Sequence, residues 1–390
     1  MRGCADYGHQ FLAASTAPLT GLIFCDMTLD VRRRPRDYAS QRTCIRVEGV
    51  HDLRVERVRF ERPSAWGLVV GCGPTSSTDD ETATIYNRGV IVRGCEFVGL
   101  RAQEYSGFDG RPRGSTLEQL LIFNAADVLV EDCVFRDVPP SASGLGFYQA
   151  VEDALVRRCT FDGAGAGAYY PITGRDISFV FCRFYGGSGI LGARETDHCG
   201  LHGTSAAAED LRVLGCEFEC RENAAALEIG AVHRAAVLGC TFVGCLGPSV
   251  VINRGRDLFG DAPFTCDDVY IGCCTFFDAG RYGEHAMLQG GIYVARHDGQ
   301  TLHGTVTRCT FERLWRKDLM TDPAVVPQVP AQAYPWLNAL VIERADGATG
   351  GTLVGFTNPD NEYLTTTAVD AQTGATLTLE NVVPLVGTLS

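Results

Sequence analysis

Val128-Leu-Val-Glu-Asp-Cys-Val-Phe135 decides the fold. Val128-Leu-Val130 is a short, largely β-branched run of the kind that forms a strand, and it ends at a cysteine followed two residues later by phenylalanine. The same ending returns as Cys95/Phe97, Cys159/Phe161, Cys182/Phe184, Cys216/Phe218, Cys240/Phe242, Cys274/Phe276 and Cys309/Phe311, and Val58/Phe60 has valine in the cysteine slot. Successive cysteines lie 38, 26, 23, 34, 24, 34 and 35 residues apart. A period of this size marks one supersecondary unit stacked on copies of itself.

The short intervals suit one coil of three short strands and three turns, and the long ones add an insertion. A second strand follows each Cys-x-Phe after a small-residue turn, as in Ala226-Leu-Glu-Ile229. No segment sets apolar residues at helical spacing, and the leucine-asparagine consensus of leucine-rich horseshoes is missing. The reading is an all-β chain, a single-stranded right-handed parallel β-helix of about ten coils. The helix is expected over 1–344, with a β cap or oligomerisation segment over 345–390, where Asp370-Ala-Gln-Thr-Gly374 resembles a hairpin tip. Residues 1–10 carry no cap sequence, and Leu22–Asp30 already reads as a rung, so an upstream segment or a partner is expected to cover the first coil.

Forty-five glycines fit a fold with several tight turns per coil. The formal charge of −13 excludes a nucleic-acid partner, because phosphate binding needs a basic surface. It also disfavours polyanionic glycans. The seventeen cysteines recur in one rung slot, which points to packed free thiols rather than disulfides or metal ligands. No signal peptide or membrane span is visible, so no membrane partner is expected. The location expected is cytoplasmic, or exported and virion-associated if the chain is a fragment.

Insertions at 72–87, 100–116, 194–202, 254–261 and 279–289 all flank the second strand of a unit. Stacking therefore raises loops along both borders of one sheet and leaves its outer face as the floor of a groove. If Leu227 and Ile229 point inward, Glu228 points out, as do Tyr293 and Glu343 by the same rule. Tyr148, Tyr170 and Asn253 are expected beside them. Carboxylates and aromatic rings along one sheet form a surface suited to sugars.

Glycosidic-bond chemistry calls for two carboxylates about 5–9.5 Å apart. Glu228 is the first candidate, and Glu195 or Asp197 on the preceding loop supplies the second, with His198 as an alternative acid–base group. Arg194, His202, Asn253, Arg254, Tyr293 and Arg296 are candidate substrate-binding residues, with Tyr148 and Tyr170. No cofactor or metal is required; Asp79-Asp-Glu81 is the candidate for a Ca²⁺ site. Two other readings remain open, a polysaccharide lyase using Tyr or Arg and a non-catalytic glycan-binding adhesin.

The cassette Val-x-Val-x-x-Cys-x-Phe followed by Gly-Ile/Leu-x-Val/Ile resembles the pectin-lyase-like superfamily of right-handed β-helices over residues 20–345. That superfamily includes polygalacturonases, pectate lyases, alginate epimerases, inulin fructotransferases and phage tailspikes. The polygalacturonase and epimerase signatures are absent, and Lys317, the only lysine, argues against a lysine base. Leu19–Asp30 and Ala225–Gly230 are similar to segments of inulin fructotransferases, and the resemblance implies a catalytic role for Glu228. Glu217 and Asp197 are the candidates it leaves for the second carboxylate. Its glycan-active members imply a poly- or oligosaccharide partner, and a homotrimer is the assembly expected from exposed strand edges.

Overall fold

The computed structural model describes residues 9–13, 18–30, 43–63, 66–71, 87–99, 105–106, 112–113, 117–139, 142–170, 173–192, 208–220, 225–230, 232–245, 248–252, 266–277, 291–296, 303–312, 340–344, 356–357 and 362–363. Among them there are strands and turns and no helix. The architecture is the right-handed parallel β-helix expected from the repeat. The chain divides into two compact units, Met1–Thr204 and Ser205–Ser390.

In the first unit each coil contributes to three parallel ladders. The first ladder aligns Ile45, Leu68, Leu120, Leu145, Ala168 and Ile190. The second aligns Leu53, Val90, Val128, Ala154 and Ile177. The third aligns Phe60, Phe97, Phe135, Phe161 and Phe184. All of these residues are buried, so the ladders enclose one apolar core. The second unit repeats the scheme, with Leu227, Val250 and Ile292 in its first ladder and Phe218, Phe242, Phe276 and Phe311 in its third. Phe356–Thr357 and Glu362–Tyr363 continue the second and third ladders, so coil structure runs past residue 344. The Asp370–Gly374 turn lies outside the described residues. Within the insertion 100–116, Tyr105–Ser106 and Pro112–Arg113 form an antiparallel pair.

The Cys-x-Phe cassette works through two kinds of stacking. Neighbouring phenylalanine rings of the first unit lie 4.6–4.9 Å apart with their planes within 6°, the spacing of adjacent strands. Each cysteine lies at the turn from the second ladder to the third. Its thiol reaches a carbonyl of the preceding coil, as Cys95 Sγ to Val55 O at 3.3 Å and Cys182 Sγ to Val156 O at 3.5 Å. The slot therefore wants a small apolar side chain with a weak donor, and cysteine supplies both. The cysteines whose side chains are described are all free, and all of these but Cys25 and Cys273 are buried. Burial pushes the Cys44 thiol up to about 12, so it stays protonated and unreactive at neutral pH.

The turn itself depends on one residue. The position before the cysteine slot has φ between 51° and 61° in Arg57, Gly94, Asp132, Arg158, Phe181, Gly215, Gly239, Cys273 and Arg308. A side chain there costs about 1–2 kcal/mol relative to glycine, less the ~0.5–1 kcal/mol of extra freedom that glycine gives the unfolded chain. Phe181 is 66% exposed, so its ring returns little of that cost. Phe181→Gly is expected to raise stability by about 0.5–1 kcal/mol, seen as a higher urea midpoint at unchanged slope.

A glycine column explains the Gly-Leu/Ile start of the first-ladder strands. A Cβ at Gly67 would stand 3.0 Å from Phe97 Cδ1, and one at Gly144 would stand 2.8 Å from Phe161 Cδ1. The phenylalanine stack thus dictates glycine across the core, which links sequence signals on successive coils.

Outside the core, charge follows the register. Glu131 stands between Arg93 and Arg157 on adjacent strands, bonded to Arg93 Nε at 2.9 Å and Arg157 Nη2 at 2.6 Å, and it also contacts Arg158. Burial alone would raise its pKa, but the three guanidinium groups hold it below the ordinary carboxylate value. A lowered folded-state pKa stabilises the fold above the unfolded value, and that contribution is lost as pH falls through the folded value. Glu131→Gln is expected to cost about 1–3 kcal/mol at neutral pH. The difference from the parent protein should shrink below about pH 4 in acid titrations of stability.

Candidate functional site

Alternate residues of the first-ladder strands leave the core. In the first unit Arg46, Val69, Leu121, Gly146 and Tyr169 form one outward column. Phe123 and Tyr148 are partners in the next, with ring centroids 5.7 Å apart. Arg46 Nε donates to Glu48 Oε1 at 2.6 Å, and Glu48 lies beside Gly71, where a Cβ would stand 3.3 Å from Glu48 Cγ.

Among the described residues of this unit, Glu118 is the most enclosed carboxylate, at 2% exposure. Its Oε1 accepts from the Tyr148 hydroxyl at 2.7 Å and its Oε2 from Trp66 Nε1 at 3.0 Å. Three successive coils are tied together by this one side chain. Gly146 makes room for it, since a Cβ there would come within 2.6 Å of both Glu118 Cγ and Tyr148 Cε2. A buried carboxylate is tolerable only with such donors, each worth more to an ion than to a neutral acceptor.

In the second unit Glu228 occupies the middle of the strand Leu227–Ile229. Its neighbours Leu227 and Ile229 are fully buried, and its register partners are Val251, then Tyr293, then Val341. Glu228 itself is 5% exposed, so it does not lie open to bulk water. Among the residues whose side chains are described, it is the one carboxylate of this ladder in the second unit.

The other expected positions fall in three groups. Tyr148 does lie on the outer face, but as a buried partner of Glu118. Tyr170 does not lie there: it is 1% exposed and shares the parity of core-facing Ala168, and Tyr169 takes the outward position instead. The cause is a one-residue choice in the pair Tyr169-Tyr170, where either tyrosine satisfies the alternation until the register is known. Glu217 lies in the third ladder, opposite Thr241, and so belongs to a different face from Glu228. Tyr293 and Arg296 lie on the first-ladder strand Ile292–Arg296. Arg194, Glu195, Asp197, His198, His202, Asn253, Arg254 and the Asp79–Glu81 run lie outside the described residues.

Glu118 and Trp66 were missed from sequence. The available signal was alignment of Trp66-Gly-Leu with Glu118-Gln-Leu, which puts both at the outward position that opens the strand.

No family model and no curated protein matches the sequence. Several solved structures are similar, among them the following three. The tailspike of Escherichia coli bacteriophage HK620, a double mutant in complex with a pentasaccharide, has 12% identity over 83% of this chain and 58% of its own, with a TM-score of 0.46. An alginate lyase from Paenibacillus sp. FPU-7 has 10% identity over 94% of this chain and 99% of its own, with a TM-score of 0.41. The catalytic unit of an α-1,3-glucanase from Streptomyces thermodiastaticus has 11% identity over 95% and 59%, with a TM-score of 0.34. This chain spans less than three-fifths of the tailspike's length.

Proposed function

We propose that the chain is a carbohydrate-active enzyme that cleaves or transfers glycosidic bonds of a poly- or oligosaccharide laid along the outer face of the first ladder. The observation that carries this reading is Glu228, a carboxylate on a rigid strand, enclosed to 5% exposure and flanked by core residues that fix its backbone. Catalytic groups need such a fixed seat and a site with little water. Glu195 or Asp197 is the second carboxylate in this reading, with His198 beside them. Arg194, His202, Asn253, Arg254, Tyr293 and Arg296 hold the glycan.

Incubation with a panel of polysaccharides, followed by product analysis, tests it. New reducing ends or transferred chains that vanish in Glu228→Gln support the proposal. An ultraviolet-absorbing unsaturated product would make the protein a lyase. Tight binding with no product, unaffected by Glu228→Gln, would make it a binder.

A homotrimer belongs to the same reading. Leu238 at 36% and Tyr270 at 43% exposure put apolar side chains on the surface of the second ladder of the second unit, a candidate contact for it, and light scattering reports the mass. The free thiols favour assembly in a reducing compartment.

A further inference from the structure

We infer that the stacked thiols of the Cys-x-Phe slot are a modification site: on oxidation, cysteines of neighbouring coils join in disulfide bonds that staple one coil to the next. The inference is independent of the glycan reading and of Glu228.

The register sets the thiols in columns. In the first unit Cys95 O accepts from Val134 N, Cys133 O from Thr160 N and Cys159 O from Arg183 N, each at 2.9 Å. In a parallel ladder this pattern places Cys95, Cys133, Cys159 and Cys182 in line. Their side chains are in contact in succession, Cys95 with Cys133, Cys133 with Cys159, and Cys159 with Cys182. The second unit repeats the column from Cys216 through Cys240 and Cys274 to Cys309. Adjacent strands lie about 4.8 Å apart, inside the Cα separation of about 4.4–6.8 Å that a disulfide spans.

Packing alone asks only for a small apolar side chain in the slot, and Val58 fills it without a thiol. Packing in the slot also leaves a second stack unexplained. Cys220 and Cys245 lie at the other end of the third-ladder strands, outside the slot, and they too are in contact. Thiol beside thiol on neighbouring coils is the feature that both corners share.

The oxidant is a peroxide. One thiol takes an oxygen as the O–O bond breaks, which gives a sulfenic acid and, from hydrogen peroxide, water. The thiol of the neighbouring coil then attacks that sulfur, and the S–S bond forms as the hydroxyl leaves with the thiol proton as a second water. Two thiols lose two electrons and the peroxide gains them. The column cysteines are at most 1% exposed, so the step is slow and needs prolonged contact. A reducing compartment keeps the columns open, and transfer to an oxidising one closes them. Each link would close a loop of 23–38 residues and restrict the unfolded chain.

The test holds the folded full chain overnight with hydrogen peroxide, denatures it in an alkylating reagent, and maps free and linked cysteines by mass spectrometry. Peptides linked between column neighbours are expected, with a urea midpoint that rises and returns to the reduced value in dithiothreitol. Cys44 is the internal control. It is buried, but Gly67 is its neighbour on the next coil, so it is expected to remain a free thiol. Cys133→Val puts into the slot the residue that Val58 already places there, and it leaves Cys95 between two valines. Cys95 is then expected to stay free, whereas in the parent it is linked to Cys133. Cys245→Val isolates Cys220 in the same way and serves if Cys133→Val melts early. Column thiols that remain alkylatable, oxidation confined to the exposed Cys25 and Cys273, or links between cysteines that are not column neighbours overturn the inference. So does a linked protein whose midpoint is no higher than that of the reduced one.

Discussion

Glu228→Gln is expected to lower product formation by about 10²–10⁴-fold, the range that a positioned acid or base contributes. Glutamine keeps the volume of the side chain and its oxygen acceptor, so the strand Leu227–Ile229 should retain its place beside the strand Val250–Ile252. The folding cost is expected to stay below about 1.5 kcal/mol, one ordinary hydrogen bond. Rate and stability should therefore separate. Glu228→Asp sharpens the test, because it keeps the charge and withdraws the carboxylate along a strand that cannot follow. A misplacement near 1 Å is expected to cost roughly 10²-fold. A reacting carboxylate gives the order parent, Asp, Gln; a merely structural one gives losses that track the melting temperature. Retention of more than a tenth of parental activity by Glu228→Gln would remove this residue from the chemistry. Binding measured alongside keeps a loss of affinity from being mistaken for a loss of rate.

The fold was legible because a β-helix writes its period into the residues that face inward. Phe60 through Phe184, and Phe218 through Phe276, had to recur, since each ring needs a like ring one strand away. The column Gly67, Gly144 and Gly167 recurs for the complementary reason, to leave room for those rings. Outward positions obey no such constraint. Tyr169 and Tyr170 look alike in sequence, and the structure puts the first outside and the second in the core. Glu118 gave no local sign of its role, because its partners Trp66 and Tyr148 are 52 and 30 residues away. The turn before each cysteine was equally hidden. Arginine, aspartate, phenylalanine and glycine all occupy it, and only the common positive φ reveals it as one position. Core periodicity thus survives in one sequence, while a site assembled across coils is visible only once the register is fixed.

The same contrast sets the largest stability effect. Phe161→Ala is expected to destabilise the protein by about 3–5 kcal/mol, whereas Phe181→Ala should stay within about 0.5 kcal/mol. Phe161 lies in the third ladder and Phe181 at the turn that leads into the third ladder of the next coil. Phe161 is 2% exposed and stacks on Phe135 at 4.6 Å and on Phe184 at 4.7 Å, each within 2° of parallel. Removing its ring opens a gap between two rings that strands at fixed spacing cannot close, so the site relaxes little. Gly144 adds no side chain that could fill the space. In a solenoid, stability is carried by contacts between neighbouring coils, so a gap in mid-stack weakens the interfaces on both sides. Urea melts should show a lower midpoint for Phe161→Ala. A smaller slope would mean that the coils on either side melt separately. Phe161→Leu refills part of the volume without the stack and should recover about half of the loss. An alanine cost below about 1 kcal/mol at residue 161 would show that the phenylalanine stack does not hold the coils together.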